Sequence, residues 1–369
     1  MNDPTTSAIA AFVAGLALAL LLAVPYIAVS YRRRGELGAG HALLALAFLV
    51  YCMALWTYTL LPFPDATPAW CAEHAANAMQ TRPLQFISDI RREQATSTGT
   101  LLHNPAVQQA VFNVALFVPL GMFLRHLFRR GWLLTVVVGF AVSLFIECTQ
   151  LTGVWYLFEC PYRLFDVDDL ITNTVGTALG VVAAPVLRLV PGQRISAPPS
   201  EPRPVTARRR LLGMAVDLLS VMLLGSLIGI PYALLVGLNN VSPVESVLLG
   251  NYVPALVLLY VVPLFGNGAT FGQRVVLLRP VGPDGGKPAV WRMTVRFLVG
   301  SGGYFLLQGL SLLIDKHFDD VSSLLLLVSA ITAFRPRGHR GLSGIIAGLQ
   351  IVDSRVDAPT VILPRARSV

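Results

Sequence analysis

Residues 147–180 read ECTQLTGVWYLFECPYRLFDVDDLITNTVGTALG, and this stretch decides the fold class. A charged side chain at the centre of a membrane helix costs roughly 2.5–3.5 kcal/mol on insertion scales, so such residues usually face protein or water. Here the charges stand between two hydrophobic segments that are each long enough to cross a bilayer. The stretch therefore predicts a multi-spanning membrane protein with a polar site at one membrane face. The charged residues are Glu147, Glu159, Arg163, Asp166, Asp168 and Asp169.

The composition favours a membrane protein over a soluble one. Of the 369 residues, 54% are hydrophobic and 13% are charged, whereas an average soluble domain is about 25% charged. The formal net charge is +8, which in a membrane protein is first a signal of orientation. No basic stripe with interleaved aromatic residues occurs. We therefore expect the lipid bilayer as a partner and no binding of nucleic acid.

The apolar runs predict an all-α, polytopic membrane protein with about nine transmembrane helices in two bundles. Five helices form a membrane domain at 1–190, and a Pro-rich cytoplasmic linker follows at 191–207. Four helices form a second membrane domain at 208–353, and 354–369 is a cytoplasmic tail. The predicted spans are 9–30, 41–61, 107–128, 132–152, 168–190, 211–236, 247–265, 297–314 and 321–334. A basic, Gly-rich loop is predicted between the seventh and eighth spans.

The basic residues predict how the chain is oriented. With the N-terminus outside, 23 of the 28 Lys and Arg residues fall in cytoplasmic segments, which is a strong positive-inside signal. We therefore predict a multi-pass protein of the cytoplasmic membrane with a cytoplasmic C-terminus. In this orientation the polar stretch that follows Glu147 lies at the outer face.

Helical spacing gathers polar side chains from three predicted spans at that face. Glu147 and Gln150 are three residues apart and share one side of their helix. A stripe from Asp166 to Gly180 is polar at its outer end and glycine at its deeper end, where glycine allows another helix to approach closely. The candidate catalytic residues are Glu147, Asp166 and Asp169, and the candidate substrate-binding residues are Asn113, Gln150, Arg163 and Asn173.

Several roles fit these groups. Paired carboxylates split their pKa values, which suits acid–base catalysis, and their oxygens also suit a divalent cation. Arg163 suits a phosphate group, or it forms an ion pair with Glu147 or Asp166. The structural alternative is that Asp166 or Asp168 caps a helix while the amides join neighbouring helices.

The pattern NVALFVPLG, then ExxQ, then RxxDxxDxxxNxxGxxxG resembles the VanZ-like family of bacterial membrane proteins over residues 40–190. The resemblance implies a role in the cell envelope, and the founding member is associated with resistance to the glycopeptide teicoplanin. The matching positions are Asn113, Pro119, Leu120, Gly121, Glu147, Gln150, Arg163, Asp166, Asp169, Asn173, Gly176 and Gly180.

The second half contains a further charged pair. Arg210 and Asp217 are seven residues apart and share one side of the sixth predicted span, and a GxTxGxR pattern ends at Arg274. This arrangement resembles the RDD family over residues 205–353, although Gly344 stands where that family has a late Asp. The resemblance implies transport or ion exchange, which the missing acid weakens. The structural alternative is an Arg210–Asp217 ion pair that stabilises the span.

The cysteines divide between spans and loops. Cys52 and Cys148 lie in predicted spans, where they behave as small apolar residues. Cys71 and Cys160 both fall in predicted outer loops, where oxidising conditions allow a disulfide. We hypothesise that these two cysteines are bridged, which would tie the long polar loop, residues 62–106, over the site.

Three functions remain open at this point. The first is an outer-face site that binds or modifies a lipid-linked or peptidoglycan-related molecule and affects glycopeptide resistance. The second is a transporter or ion exchanger that uses the intramembrane acids Glu147 and Asp217. The third is a non-catalytic membrane scaffold. Enzymatic activity, cofactor and bound metal stay open under all three.

Overall fold

The computed structural model is mainly helical and describes residues 4–61, 67–74, 79–96, 101–161, 163–195, 197–335 and 338–356. Most of the predicted tail, 357–369, lies outside the described residues. The predicted all-α membrane fold is confirmed, because seven of the described helices are long and apolar enough to cross a membrane. They are Gly15–Arg34, Ala39–Leu60, Pro105–His126, Trp132–Leu151, Val167–Leu189, Ala207–Val236 and Pro243–Phe265.

The chain divides into two compact units, and the first consists of Met1–Ala19 and Gly38–Arg194. A parallel pair of two-residue strands, β1 and β2, joins its polar loop to the start of its last helix. That last helix continues as a 3-10 helix, Ala184–Leu189. The elements are α1 (Pro4–Arg34, shared with the second unit), α2 (Ala39–Leu60), α3 (Pro68–His74), β1 (Met79–Gln80), α4 (Gln85–Thr96), α5 (Pro105–His126), α6 (Trp132–Leu151), the single turn α7 (Gly153–Tyr156), β2 (Phe165–Asp166) and α8 (Val167–Ala183).

The second unit consists of Leu20–Leu37 and Ile195–Val369. Its strands β3 and β4 pair antiparallel, with Leu278 opposite Asp353 and Val281 opposite Gln350. The elements are α9 (Ala207–Val236), α10 (Pro243–Val247), α11 (Val253–Leu256), α12 (Val262–Phe265), α13 (Phe271–Val275), β3 (Leu278–Val281), α14 (Val290–Leu298), α15 (Ser301–Leu313), α16 (His317–Ala333), α17 (Gly341–Ile346) and β4 (Gln350–Asp353).

The packing of α5 against α8 forms the centre of the first unit. A Cβ atom added at Gly176 would overlap the carbonyl oxygen of Val114, and one at Gly180 would overlap that of Val118. A Cβ atom at Gly121 would likewise overlap the backbone of α8. The two helices therefore touch backbone to backbone, as the glycine stripe predicts.

The helix from Pro243 to Phe265 is continuous but contains two π-helical segments, Leu248–Tyr252 and Val257–Val261. Each segment ends two residues before a proline, Pro254 or Pro263. Proline has no N–H to donate and its ring crowds the preceding turn, so the backbone widens there instead of keeping regular α-helical bonds.

The helix at the eighth predicted span, 297–314, is shorter than expected, whereas the helix at the ninth, 321–334, is slightly longer. These helices are α15 and α16, which have 13 and 17 residues. A 13-residue helix is about 20 Å long, whereas the hydrocarbon core is about 30 Å thick. The helix α15 starts only at Ser301, because the backbone leaves the helical conformation at Val299 and Gly300 after α14. Three residues join α15 to α16, so the two helices form a hairpin.

The basic, Gly-rich segment after Phe265, predicted as a loop, contains regular structure. Thr270 and Gln273 form a capping box that starts α13, and β3 and α14 follow. The spacing of a Thr and a Gln three residues later is a helix-start signal that the loop interpretation overlooked. The Pro-rich linker, by contrast, has no helix or strand in its described part, 191–195 and 197–206.

A buried ion cluster anchors the β3–β4 end of the second unit. The Asp353 carboxylate lies 2.8 Å from Nη1 of Arg209 and 2.6 Å from Nη2 of Arg355, and it accepts a bond from the Arg203 N–H. Burial opposes ionisation of Asp353, but the bonds from Arg355 and Arg203 and the charge of Arg209 outweigh it. The net result is a pKa well below the usual range of an aspartate.

We predict that Gly176→Leu destabilises the first unit by about 1–3 kcal/mol, because the new side chain must push α5 away. Thermal unfolding of the purified protein in detergent measures the loss. Gly229→Leu is the matched control, because a Cβ atom at Gly229 meets nothing within 4 Å. Equal melting temperatures for the two variants would contradict the backbone contact between α5 and α8.

We predict that the Asp353 cluster makes the stability of the second unit depend on pH. Because the folded-state pKa is lowered, the stabilisation is present above the unfolded pKa of about 3.9 and is lost as the pH falls below it. Asp353→Asn should therefore cost about 3 kcal/mol at neutral pH and much less in acid. Denaturant unfolding at several pH values measures this, with the exposed Asp320→Asn as control.

Candidate functional site

The start of α8 brings the predicted acids together. Asp166 is the N-cap of this helix, and its Oδ1 accepts a bond of 2.8 Å from the N–H of Asp168. The buried Glu147 of α6 accepts a bond of 3.0 Å from the N–H of Asp166. Glu147 therefore holds the backbone where β2 turns into α8, and it is a positioning residue for the aspartates that follow.

Asp169 joins α8 to α5. Its Oδ1 accepts a bond of 2.6 Å from Nδ2 of Asn113 and a longer one, 3.4 Å, from Nε2 of Gln109. Of the predicted amides, Asn113 therefore contacts a predicted acid directly. The contact is possible because the glycines deeper in α8 bring the two helix backbones together.

Asp168 is the acid that the candidate residues omitted. It is 4% exposed, and its carboxylate accepts bonds from the N–H groups of Leu84 (2.5 Å) and Phe86 (2.8 Å) and from the Gln80 amide (3.3 Å). The first N–H groups of a helix lack partners within it, so a carboxylate at this end of α4 is favourable. Asp168 thereby fastens the polar loop onto α8.

Two other predicted amides serve to join helices. Gln150 donates a bond of 2.7 Å to the carbonyl of Thr59, which has no helical partner because α2 ends at Leu60. Asn173 donates a bond of 2.9 Å to the Ser143 hydroxyl on α6. These contacts fit the structural alternative for both residues.

Arg163 does not form the ion pair that we expected. Its guanidinium donates a bond of 3.3 Å to the carbonyl of Leu61. Neither Glu147 nor Asp166 lies within ion-pair distance of it in the described part of the chain. The reason is that the N–H groups of the chain, and not a guanidinium, satisfy these carboxylates.

The connection between α6 and β2 is tightly constrained. Residues 153–156 all have positive φ and form one left-handed turn, in which Val154 has φ 56° and ψ 56°. A few residues further on, Cys160 forms a disulfide with Cys71 of α3, with the two Cα atoms 5.6 Å apart. The bridge ties this connection to the polar loop.

The aspartates line a cavity of about 50 Å³ beside α4, α5 and α8. Burial raises the pKa of Asp166, and the neighbouring Asp168 carboxylate acts in the same direction, although the N–H of Asp168 opposes them. Among the described residues, no three His, Cys, Asp or Glu side chains are placed to hold a metal ion. The acids that line the cavity are Asp89, Asp166, Asp168 and Asp169.

An apolar groove of about 540 Å³ adjoins this cavity along α5 and α8. Phe86, Ala110 and Thr172 line both spaces, so the polar cavity and the groove lie side by side. The remaining lining is aliphatic and includes Val114 and Val175. The arrangement therefore has a carboxylate end and a hydrocarbon end.

In the second unit, Arg210 and Asp217 line one cavity but do not form the ion pair that their spacing predicts. Arg210 donates bonds to the carbonyls of His339 (3.1 Å) and Arg340 (3.3 Å). The Asp217 carboxylate accepts bonds from the Thr270 hydroxyl (2.7 Å) and the Gly272 N–H (2.6 Å). The start of α13 packs directly against α9, because Gly272 has no Cβ atom to overlap the α9 backbone. This close packing places the donors of Thr270 and Gly272 within hydrogen-bond distance of Asp217.

We predict that Asp168→Ala releases the polar loop, because two backbone N–H groups lose a charged acceptor worth about 1.5–3 kcal/mol each. Hydrogen exchange at residues 84–90 should quicken while exchange in α6 stays unchanged. Glu159→Gln is the control, because Glu159 is exposed. An unchanged rate of hydrogen exchange at residues 84–90 in the Asp168 variant would show that Asp168 does not hold the polar loop.

Comparison with known families agrees with this division of the chain. The VanZ/LLP1 family model matches residues 48–188, and the RDD family model matches residues 204–348. Searches of curated proteins and of solved structures gave no match. The chain therefore carries a VanZ-like membrane domain followed in tandem by an RDD-family membrane domain.

Proposed function

We propose that the VanZ-like domain binds an amphiphilic, lipid-linked molecule of the bacterial cell envelope at the extracytoplasmic face of the membrane, and thereby affects glycopeptide susceptibility. The observation that carries the proposal is that the aspartate-lined cavity and the apolar groove lie side by side. An amphiphile has the same two parts, a polar headgroup and a hydrocarbon chain. The association of the VanZ family with glycopeptide resistance supports the biological setting.

The polar end of the site favours a headgroup that donates hydrogen bonds. Every charged group in the cavity lining is an aspartate, so a protonated amine or a set of hydroxyls is attracted there. The negative charges of the aspartates repel a phosphate group. Arg163 does not offset this repulsion, because it bonds to the carbonyl of Leu61 and does not line the cavity. This refines the expectation of a phosphate contact made from the sequence.

The apolar end favours a hydrocarbon chain. Its lining is aliphatic apart from Phe86 and Thr172, and its volume of about 540 Å³ is far larger than that of the polar cavity. Burial of apolar surface stabilises by roughly 25 cal/mol per Å², so a lipid chain supplies affinity while the aspartates supply selectivity.

The proposed orientation rests on charge and cysteine chemistry. The excess of Lys and Arg in the segments predicted to lie on the other side of the membrane supports an extracytoplasmic site. The Cys71–Cys160 disulfide supports the same face, because such bonds persist in oxidising compartments. Seven and nine spans both leave the C-terminus opposite the N-terminus, so the short α15–α16 hairpin does not alter the argument.

This proposal is favoured over the two alternatives. A transporter that uses Glu147 and Asp217 needs acids free to exchange protons or ions, whereas donors within the same unit engage both carboxylates. A scaffold needs no cavity at all, whereas the aspartates of α8 border an open one.

We predict that Asp169→Asn and Ala115→Phe both abolish the glycopeptide protection given by the wild-type protein. The first removes a charge from the cavity, and the second fills the groove with an aromatic ring. The measurement is the inhibitory concentration of teicoplanin for a susceptible bacterial host at matched expression. Glu147→Gln should weaken protection less, because Glu147 positions the site without lining it.

Ala141→Phe is the matched control for the groove variant, because Ala141 is also an exposed alanine of a spanning helix but does not line the groove. It should protect as well as the wild type. Equal protection by the wild type and by the Asp169 and Ala115 variants would exclude the proposed site.

A further inference from the structure

A second cavity, of about 40 Å³, lies inside the second unit and is independent of the proposed function. It is lined by residues of α9, α12, α13, α14, α15, α16 and α17. Two guanidinium groups, those of Arg210 and Arg296, line it together with the carboxylate of Asp217. One positive charge is therefore left unbalanced in a small interior space.

The carboxylate does not neutralise either guanidinium directly. Both oxygens of Asp217 are already engaged, by the Thr270 hydroxyl and the Gly272 N–H. Arg296 instead donates to the carbonyl of Gly268 (2.7 Å) and to the Gln273 side chain (2.6 Å). Buried charge is costly unless it is paired, so this lining calls for a negative partner.

Gln273 offers an unused donor to the cavity. Its Oε1 accepts bonds from Nη2 of Arg296 and from the N–H of Thr270, and these two donors identify that atom as the oxygen. The other atom, Nε2, is buried and has no partner in the described structure. The side chain is 2% exposed, so bulk water does not satisfy this donor.

Ser329 of α16 offers a second unused donor. Its hydroxyl is buried without a partner among the described residues, and the residue is 6% exposed. The cavity is also bordered by Gly300, Ser301 and Gly302, at the N-terminus of the 13-residue helix α15. Helix N-termini present free N–H groups and a partial positive charge, and α15 has no acid in its first turn.

We propose that this cavity binds one small monovalent inorganic anion of the size of chloride. Two guanidinium groups, an amide N–H, a hydroxyl and a helix N-terminus all act as donors or positive charges around it. A single negative charge balances the lining. The volume admits an ion or a few waters, since one water needs roughly 10–15 Å³.

The test is thermal unfolding of the full-length protein in detergent, with chloride replacing gluconate at constant ionic strength. Chloride should raise the melting temperature in a saturable manner. Ser329→Ala should raise the half-saturating chloride concentration about tenfold, the effect of losing about 1.4 kcal/mol of binding energy. Gln273→Glu should abolish the response, because it sets a negative charge against the anion.

Ser220→Ala is the matched control, because Ser220 is also a buried serine with an unpartnered hydroxyl but does not line the cavity. It should keep the wild-type response. A wild-type melting temperature that is the same in chloride and gluconate would overturn the proposal and leave water as the occupant. The same response in the Ser329 and Ser220 variants would also overturn it.

Discussion

Hydrocarbon offers no hydrogen-bond partner, and polar groups of this chain at membrane depth therefore depend on other groups of the protein. Glu147 meets this constraint through a backbone N–H, and Asp217 meets it through a hydroxyl and a backbone N–H. In both units the acid is thus held by uncharged donors. This leaves Arg163 and Arg210 to bond with carbonyl groups instead of carboxylates.

Close approach of backbones makes such bonding possible. Gly176 and Gly180 bring α8 against α5, and Gly272 brings α13 against α9. A Cβ atom at any of these positions would overlap a carbonyl oxygen of the neighbouring helix. The glycine contacts therefore support the bond between Asn113 and Asp169 in the first unit and the bond between Gly272 and Asp217 in the second.

The two units use their polar groups in opposite senses. In the VanZ-like domain, four aspartates border a cavity that lies beside an apolar groove. In the RDD-family domain, two arginines and unused donors surround a small cavity. The proposed headgroup and lipid chain suit the first arrangement, and the proposed small anion suits the second. The fold class is common to both, so function resides in the local chemistry.

The sequence alone determined the membrane class, the two domains, the positions of seven spans and the acids at the start of α8, because hydrophobic length and helical spacing are local properties. It also contained the α13 capping box, which the loop interpretation overlooked. Only the tertiary structure decided which partner each polar group has. Asp168 bonds to N–H groups more than 80 residues away, and nothing local to the DVDD pattern identifies them. Partner choice depends on how helices and loops meet in space, which spacing along one helix does not encode.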